Sequence, residues 1–559
     1  MANRNLYTRK QGRHPAITRL EMFLKGEYYS IKFSYLLFVF LIAGTFGCNS
    51  PNVPTSHPTG LSEIPGQEAT SIPTKTLVQT PSVKPKSITP TQTVAATQIP
   101  LETLIPTATT TPEIFQTLIP VMGIEETFIN DSRMKLIEES GAFWFRRNVL
   151  LWHEVEPQEG TRNWEVLSKL EGELSKSSEL GLEVILIVRG APAWAQMISG
   201  STCGPILPDK LDVFAGFMHE LVTRYSAPPY NVRYWELGNE PDVDPALVPP
   251  DFPFGCWGDQ TDPNYGGGYY AQMLKAVYPQ IKAADPDAQV LVGGLLMDCN
   301  PLFPGEGRAC KPTRFIEGVL ADGGGEFFDG ISFHAYDYYT DPYSYRNDNW
   351  QSSSAITGPV LVSKANYLRD LLDTYEISDK FLMNTETGLL CGRDGSEPEC
   401  QSEEFQLSKA SYAIQANANA LKEGLKANVW YSLTGWRGTG LVDKEMIPYP
   451  VYDAYAFNSQ RLNQAVYIKG INTYAGIKGI ETLRDNHREW ILWAVDGSER
   501  LIYMERFPPF VLYDSFGAQI PVMYASEKSN IPIGAYAPDV YEIRINSMPV
   551  YIVFTVDEY

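Results

Sequence analysis

Histidine is scarce in this chain. Six occur in 559 residues, and two of them, His14 and His57, lie near the N-terminus. A His-rich metal centre is thereby excluded as an expectation, and no metal or other cofactor is expected. Seven cysteines form no CxxC pair, which argues against zinc and dithiol redox sites. No apolar run reaches the about 20 residues of a membrane-spanning helix. Basic residues are outnumbered, 45 Lys and Arg against 66 Asp and Glu, for a net charge of −21. Residues 1–48 carry seven basic and two acidic side chains, a net of +5, and residues 49–112 carry three of each. The other 447 residues therefore hold −26. Such an anionic body repels nucleic acid and acidic lipid, so neither is an expected partner.

What is present begins with a targeting pattern. A basic stretch ends at Lys32, Tyr35–Gly47 is apolar, and Cys48 follows. Thirteen apolar residues suit a secretory h-region. Gly47 before Cys48 resembles a bacterial lipoprotein cleavage box, which implies lipid on Cys48 and membrane attachment through it. An uncleaved anchor and a start codon misplaced upstream of a normal signal are the other readings. Residues 49–112 contain 11 Pro, 15 Thr and 6 Ser among 64 and no aromatic. Such a segment cannot bury enough apolar surface to offset its ordering entropy, and reads as an extended tether. The six remaining cysteines allow 15 pairings. Local spacing favours Cys299–Cys310 and Cys391–Cys400, leaving Cys203–Cys256, and disulfides suit an exported protein.

From about 113 the pattern changes. Eight short apolar runs predict strands at 120–125, 142–148, 182–188, 232–238, 288–294, 329–334, 380–385 and 427–432. Several are apolar almost throughout, as strands covered on both faces should be. Between them Leu211, Phe214, Met218, Leu221 and Tyr225 mark one face of a helix over 209–225, with Asp209 at its N-cap. A second such helix is expected over 269–284. The expected fold is α/β, a (β/α)8 barrel over 113–455, with a doubly wound open sheet as the alternative. No Gly-rich phosphate loop follows the first strand to support that alternative. Over 456–559 the helical period fades and short strands separated by turns predict an ancillary all-β sandwich.

In such a barrel the reactive side chains sit at the C-terminal ends of the strands. Strand 4 ends in Asn239-Glu240-Pro241, strand 6 in His334-Ala335-Tyr336, and strand 7 in Asn384-Thr385-Glu386. Strand 2 carries Arg147 and strand 8 Trp430. Two glutamates facing each other across a barrel mouth are what glycoside cleavage needs. One stays protonated to serve the leaving oxygen and the other stays ionised to attack the anomeric carbon. Aromatic residues in the loops after strands 4, 6 and 8, including Phe252, Phe254, Trp257, Tyr265, Tyr338, Tyr339, Tyr343, Tyr345, Trp350 and Trp436, are candidates for stacking on sugars.

These motifs resemble clan A of the retaining glycoside hydrolases over about 113–455. The trailing β-domain, with its closing PVYI at 549–552, resembles the family 39 branch of xylosidases and iduronidases. The resemblance implies Glu240 as acid/base, Asn239 as the residue that binds the sugar 2-OH, and Glu386 as nucleophile. It implies that Tyr336, beside His334, steadies the nucleophile, that Arg147 pairs with it, and that Trp430 forms the platform under the sugar. Adjacent Arg146 is the other candidate for the arginine role, because a one-residue slip reverses facing. Strand 3 departs from the clan: where some families place a His, this chain runs into Arg189-Gly190-Ala191. The expected protein is an exported, metal-free retaining glycosidase acting on oligo- or polysaccharide. The alternatives are a non-catalytic carbohydrate-binding surface lipoprotein and a transporter's sugar-binding lipoprotein, the latter expected to show two similar α/β lobes.

Overall fold

The computed structural model describes residues 120–249, 255–505, 509–524 and 540–555. The targeting segment, Cys48, the tether, Phe252 and Phe254 lie outside the described residues. Among the described residues no helix is long and apolar enough to cross a membrane.

Eight parallel strands form the barrel: β1 Met122–Glu125, β2 Trp144–Leu151, β3 Glu183–Arg189, β4 Tyr234–Asn239, β5 Gln289–Leu295, β6 Gly330–Asp341, β7 Phe381–Leu390 and β8 Ala427–Tyr431. Each falls on one of the eight expected runs. They pair in sequence from β1 to β7 and back through β8 to β1, with the β5–β6 pairing closing the circle. A helix follows each strand: α1 Asp131–Glu139, α2 Ser168–Glu179, α3 Leu211–Tyr225, α4 Gly267–Ala284, α5 Arg314–Ala321, α6 Val360–Thr374, α7 Glu403–Lys422 and α8 Pro450–Leu462. The apolar face expected for α3 is buried as read. Its start is not: Asp209 lies in a 3-10 turn over Pro208–Lys210, and Lys210 holds the cap position without a side-chain hydrogen bond.

Side chains alternate across each strand. The outward set packs under the helices in the main core. The inward set starts with an apolar floor of Trp144, Ile185, Tyr234, Leu291, Met383, Ala427 and Val429. Above it the alternation places polar side chains at the mouth, and two local irregularities add to them. Gly238 at φ 91° breaks the alternation at the end of β4, a left-handed conformation that favours glycine. On β7 the pairing with β6 steps from Asn384 directly to Glu386. This bulge at Thr385 turns both Thr385 and Glu386 inward, as bulges beside sites commonly do.

Helix α8 runs through the expected boundary near 455, and the trailing strands begin after it. A six-stranded antiparallel sheet contains β9 Val466–Ile471, β10 Ile477–Arg484, β11 His487–Ala494, β13 Phe510–Tyr513 and β15 Val550–Phe554. A three-stranded sheet contains β12 Arg500–Glu505 and β14 Val540–Ile545. Ile477, Leu492 and Ile552 from the first sheet meet Ile502, Ile543 and Ile545 from the second in one core, so the unit is a sandwich. β9 and β10 carry no strong apolar alternation and were not expected from the sequence. The sandwich packs on α7 and α8. Asn458 donates to the Tyr551 hydroxyl at 2.9 Å, Ser411 to the Ser547 carbonyl at 2.6 Å, and Phe457 meets Tyr551 with ring centroids 4.9 Å apart.

All three expected disulfides are present. Cys203–Cys256 joins the loops after β3 and β4, Cys299–Cys310 closes the loop after β5, and Cys391–Cys400 the loop after β7. Every one of them lies on the side where the strands end.

Candidate active site

Glu236 and Arg146, both fully buried, lie two residues above the floor residues Tyr234 and Trp144. Arg146 Nε donates to Glu236 Oε2 at 2.8 Å and Nη2 to Oε1 at 3.2 Å, a bidentate pair. The remaining guanidinium hydrogens spread over the strand ends. Nη2 reaches Asn239 Oδ1 at 2.6 Å, and Nη1 reaches Glu386 Oε1 at 2.7 Å and Glu125 Oε2. One cation thus links β1, β2, β4 and β7. This corrects the assignment of Arg147 to the role. Arg147 points outward, where it bonds Glu173 of α2 and the Glu126 carbonyl. Trp144 belongs to the floor, so two steps along β2 bring Arg146 inward and leave Arg147 outside.

Both oxygens of Glu386 are held by donors, Oε1 by Arg146 and Oε2 by the Tyr336 hydroxyl at 2.6 Å. Burial raises its pKa, and Arg146 and the Tyr336 hydrogen bond oppose that rise. Glu240 has a different setting. It sits at φ 51°, just past the end of β4, a strained conformation of the kind that persists at functional sites. Its side chain meets His334, whose Nδ1 lies 3.0 Å from Oε1. Burial raises the Glu240 pKa well above the ordinary carboxylate value, and the charges of Glu386 and Asp242 add to the effect. His334 is fully buried, and burial, Arg146 and Lys364 hold its pKa well below the ordinary value, so the ring is neutral. Its Nε2 faces Arg146 Nη2 at 3.4 Å. Nε2 also lies 3.5 Å from Glu386 Oε1; the guanidinium, which only donates, favours the tautomer with the proton on Nδ1, in which His334 donates to Glu240.

Ligand atoms of Glu240, His334 and Glu386 all lie within 4.8 Å of one another. Three such atoms could ligate a cation, but the Arg146 guanidinium already supplies positive charge to Glu386 and contacts His334. The set therefore fits a site organised around an arginine rather than an ion.

Beneath β5 and β6 a second buried layer holds the backbone of the mouth. Lys364 of α6 donates to the carbonyls of Leu296 and His334, each at 2.7 Å, and burial lowers its pKa to about 8. Asp242 accepts the backbone N–H groups of Leu296 and Met297 at 2.9 and 2.8 Å, and burial raises it to about 6.

The strand 8 assignment also moves by one residue. Trp430 is buried in the outer core, where its indole N–H bonds the Thr439 carbonyl at 2.8 Å and its ring lies beside Tyr412 of α7. Tyr431 is the inward residue. Its ring meets Tyr336 edge-on with centroids 6.3 Å apart, and its hydroxyl is raised by burial and by the charges of Glu386 and Glu125. Among the loop aromatics, Tyr265, Tyr345 and Trp350 are buried packing residues. Tyr338 is 40% exposed. Trp436 is half-buried, against the edge of Tyr336 and beside Arg437. Sequence reasoning missed Glu125, Glu236 and Lys364. Glu125 ends the first expected strand, so the strand-end rule alone pointed to it. Glu236 lies four residues before Glu240 within the run read as strand 4. Lys364 sits within a helical stretch and carried no motif.

No protein-family model matches the sequence, and no curated protein matches it. Solved structures do. The chain is similar to a family 39 glycoside hydrolase from the gut symbiont Bacteroides cellulosilyticus WH2, with a TM-score of 0.57 and 19% identity over 78% of this chain and 81% of that one. It is similar to the family 30 subfamily 8 xylanase Xyn30A from Clostridium acetobutylicum, with a TM-score of 0.51 and 14% identity over 78% and 96%. A conserved exported protein from Bacteroides fragilis gives a TM-score of 0.52 and 13% identity over 78% and 98%. At these identities the likeness is one of fold: a (β/α)8 barrel followed by a β-domain, on the architecture of the glycoside hydrolases.

Proposed function

We propose that this protein is an exported retaining glycoside hydrolase, with Glu386 as nucleophile and Glu240 as acid/base. The observation that carries the reading is the unequal environment of two buried carboxyls at the ends of β4 and β7. Glu386 accepts from Arg146 and Tyr336, bonds that favour its ionised form. Glu240 has a neutral histidine as its donor and a large desolvation cost, which favours its acid form. Such a split is the acid and nucleophile assignment that glycoside cleavage requires. With Nδ1–H of His334 on Oε1, the proton of Glu240 belongs on Oε2, free for a glycosidic oxygen.

In the first step Glu386 attacks the anomeric carbon, Glu240 protonates the departing oxygen, and a glycosyl ester forms. In the second, Glu240 takes a proton from water, which displaces Glu386. One oxygen of each carboxyl lies within 4.8 Å of one of the other, a spacing compatible with the separation of about 5–5.5 Å typical of retention. Asn239, fixed by Arg146, is suited to a sugar hydroxyl, and Tyr431 takes the position beneath the ring that Trp430 does not occupy. Three disulfides, the secretory pattern before Cys48 and the likeness to an exported protein support a location outside the cytoplasm, with the tether and a lipid on Cys48 holding the barrel at a membrane surface.

The test separates the two glutamates. Glu240→Ala is assayed on aryl glycosides with good and poor leaving groups, with and without azide. The good leaving group needs no proton, so its first step survives, the glycosyl-enzyme accumulates, and azide restores turnover as a glycosyl azide of retained configuration. Equal losses on both leaving groups, or an inverted product from the wild type, would overturn the roles.

A further inference from the structure

Arg189 ends β3, at the position where the strand departs from the clan pattern. Ile185 belongs to the barrel floor, so four residues of alternation bring Arg189 inward at the mouth. Its Nε donates to Asn148 Oδ1 at 2.6 Å, and Asn148 lies two residues beyond Arg146 on β2. The pair thus stands one layer above Arg146, and Arg189 feels the charges of Glu154, Glu125 and Arg146. None of these carboxylates is within ion-pair distance of it. The contrast with its neighbours is sharp: Arg146, Arg147 and Arg162 each hold a carboxylate at 3.0 Å or less.

A half-buried guanidinium whose only side-chain partner among the described residues is a neutral amide lacks the charge that normally compensates its desolvation. Burial accordingly lowers the Arg189 pKa to about 10. The Asn148 oxygen is used by Arg189, and among the described residues its Nδ2 hydrogens have no acceptor. The two Nη groups of Arg189 have none either. The patch is therefore all donors: a planar fork and an amide facing the entrance to the site. That set matches paired anionic oxygens, which a guanidinium holds bidentately.

Resting on the glycosidase reading, we infer that Arg189 and Asn148 form a subsite for an anionic substituent of the glycan, a carboxylate or a sulfate ester, on a sugar at or next to the scissile bond. Long-range attraction does not explain such a preference, because the chain carries −21 overall and repels polyanions at a distance. Retention of an acidic polymer requires a local site.

Binding rather than turnover tests this, so the result does not depend on the catalytic roles. The Glu386→Gln protein is run through gels containing glucuronoxylan or the same polymer after reduction of its carboxyl groups, and a sulfated galactan or its desulfated form. The expected result is a dissociation constant at least about tenfold lower for one acidic polymer than for its neutral counterpart. Which pair shows it distinguishes carboxylate from sulfate. Adding Arg189→Met removes the difference. Arg189→Lys, which keeps the charge but loses the fork, retains part of it and covers the case in which the Met variant does not fold. Equal retention of acidic and neutral forms in both pairs, no retention by either acidic polymer, or a preference that survives Arg189→Met or is undiminished in Arg189→Lys overturns the subsite. The azide experiment on Glu240→Ala tests the underlying reading separately.

Discussion

Two residues beyond Trp144 on β2 sits Arg146; two beyond Tyr234 on β4 sits Glu236; two beyond Met383 on β7 sits Thr385. The same strands thus build two interiors. The lower one is a closed apolar layer, held by dispersion and by the burial of side chains that make few demands on geometry. The upper one gathers Glu125, Glu236 and Glu386 around one arginine, in a space almost as dry. Its backbone is irregular where the floor is regular, with the bulge at Thr385 and the positive φ of Glu240. The floor fixes the register of the strands, and that register lets the mouth keep strained backbone and crowded charge.

The largest effects come from setting one residue of each layer against the other. Glu386→Gln should lower turnover by about 10⁴-fold or more, since catalytic groups acting as a unit show losses of this order or larger. Its melting temperature should hold or rise, because the substitution relieves repulsion among buried carboxyls. Met383→Ala, three residues earlier in the floor, should cost about 2–5 kcal/mol of stability with the rate per folded molecule kept. Thermal melts and active-site titration measure both. A floor variant that lost turnover without losing stability would erase the distinction between the layers.

Adjacent arginines give the next contrast. Arg146→Met leaves three carboxylates around an empty position, and breaking a buried pair in this way costs about 3–5 kcal/mol. Turnover should also fall by about 100-fold or more, as for loss of a preorganised electrostatic partner. Arg147→Met strands one carboxylate, Glu173, which lies at the barrel's outer edge with Lys169 3.8 Å away, and the Glu126 carbonyl. It should cost about 1–3 kcal/mol and leave the rate per folded molecule intact. Urea unfolding and kcat on the soluble fraction separate the two. Matching rate losses would mean that both arginines serve the mouth.

Those two arginines also mark how far the sequence could be read. The eight strands were legible because parallel strands covered on both faces are apolar along nearly their whole length. The glutamates of β4 and β7 and the His334–Tyr336 pair were legible because they end such runs. Facing was harder, since it depends on where alternation starts and where it breaks. Arg146 took the place expected of Arg147, and Tyr431 that expected of Trp430. Strand 2 has an arginine at both parities, and a tryptophan suits the outer core as well as a sugar platform. Nor does composition reveal the bulge at Thr385, whose cause is the pairing with β6. The buried Lys364 is the hardest case: its role rests on two carbonyls brought to it by β5 and β6, and no pattern along α6 encodes them.

The smallest expected effect concerns the proton that the mouth must carry. Arg146 cannot neutralise Glu125, Glu236 and Glu386 together. Glu236 takes two of its N–H groups, and Glu386 takes one with the Tyr336 hydroxyl, whereas Glu125 has a single bond to Nη1. Glu125 is therefore the group that holds the proton. Burial raises it from 4.5 to about 8 against the pull of Arg146. Below about pH 4.5 the folded and unfolded chains both carry this proton, and the group adds no pH dependence. Between 4.5 and about 8 the unfolded chain releases it while the folded chain keeps it, so stability falls as pH rises. Above about 8 both are ionised and the loss levels off. Glu125→Gln removes this term. Its stability relative to wild type should therefore climb from pH 4.5 to 8 in urea unfolding. The deficit of a floor variant such as Leu291→Ala should stay constant over the same range. A Glu125→Gln difference equally flat with pH would mean that Glu125 is ionised beside Arg146 throughout, and that the proton of the mouth resides on another carboxyl.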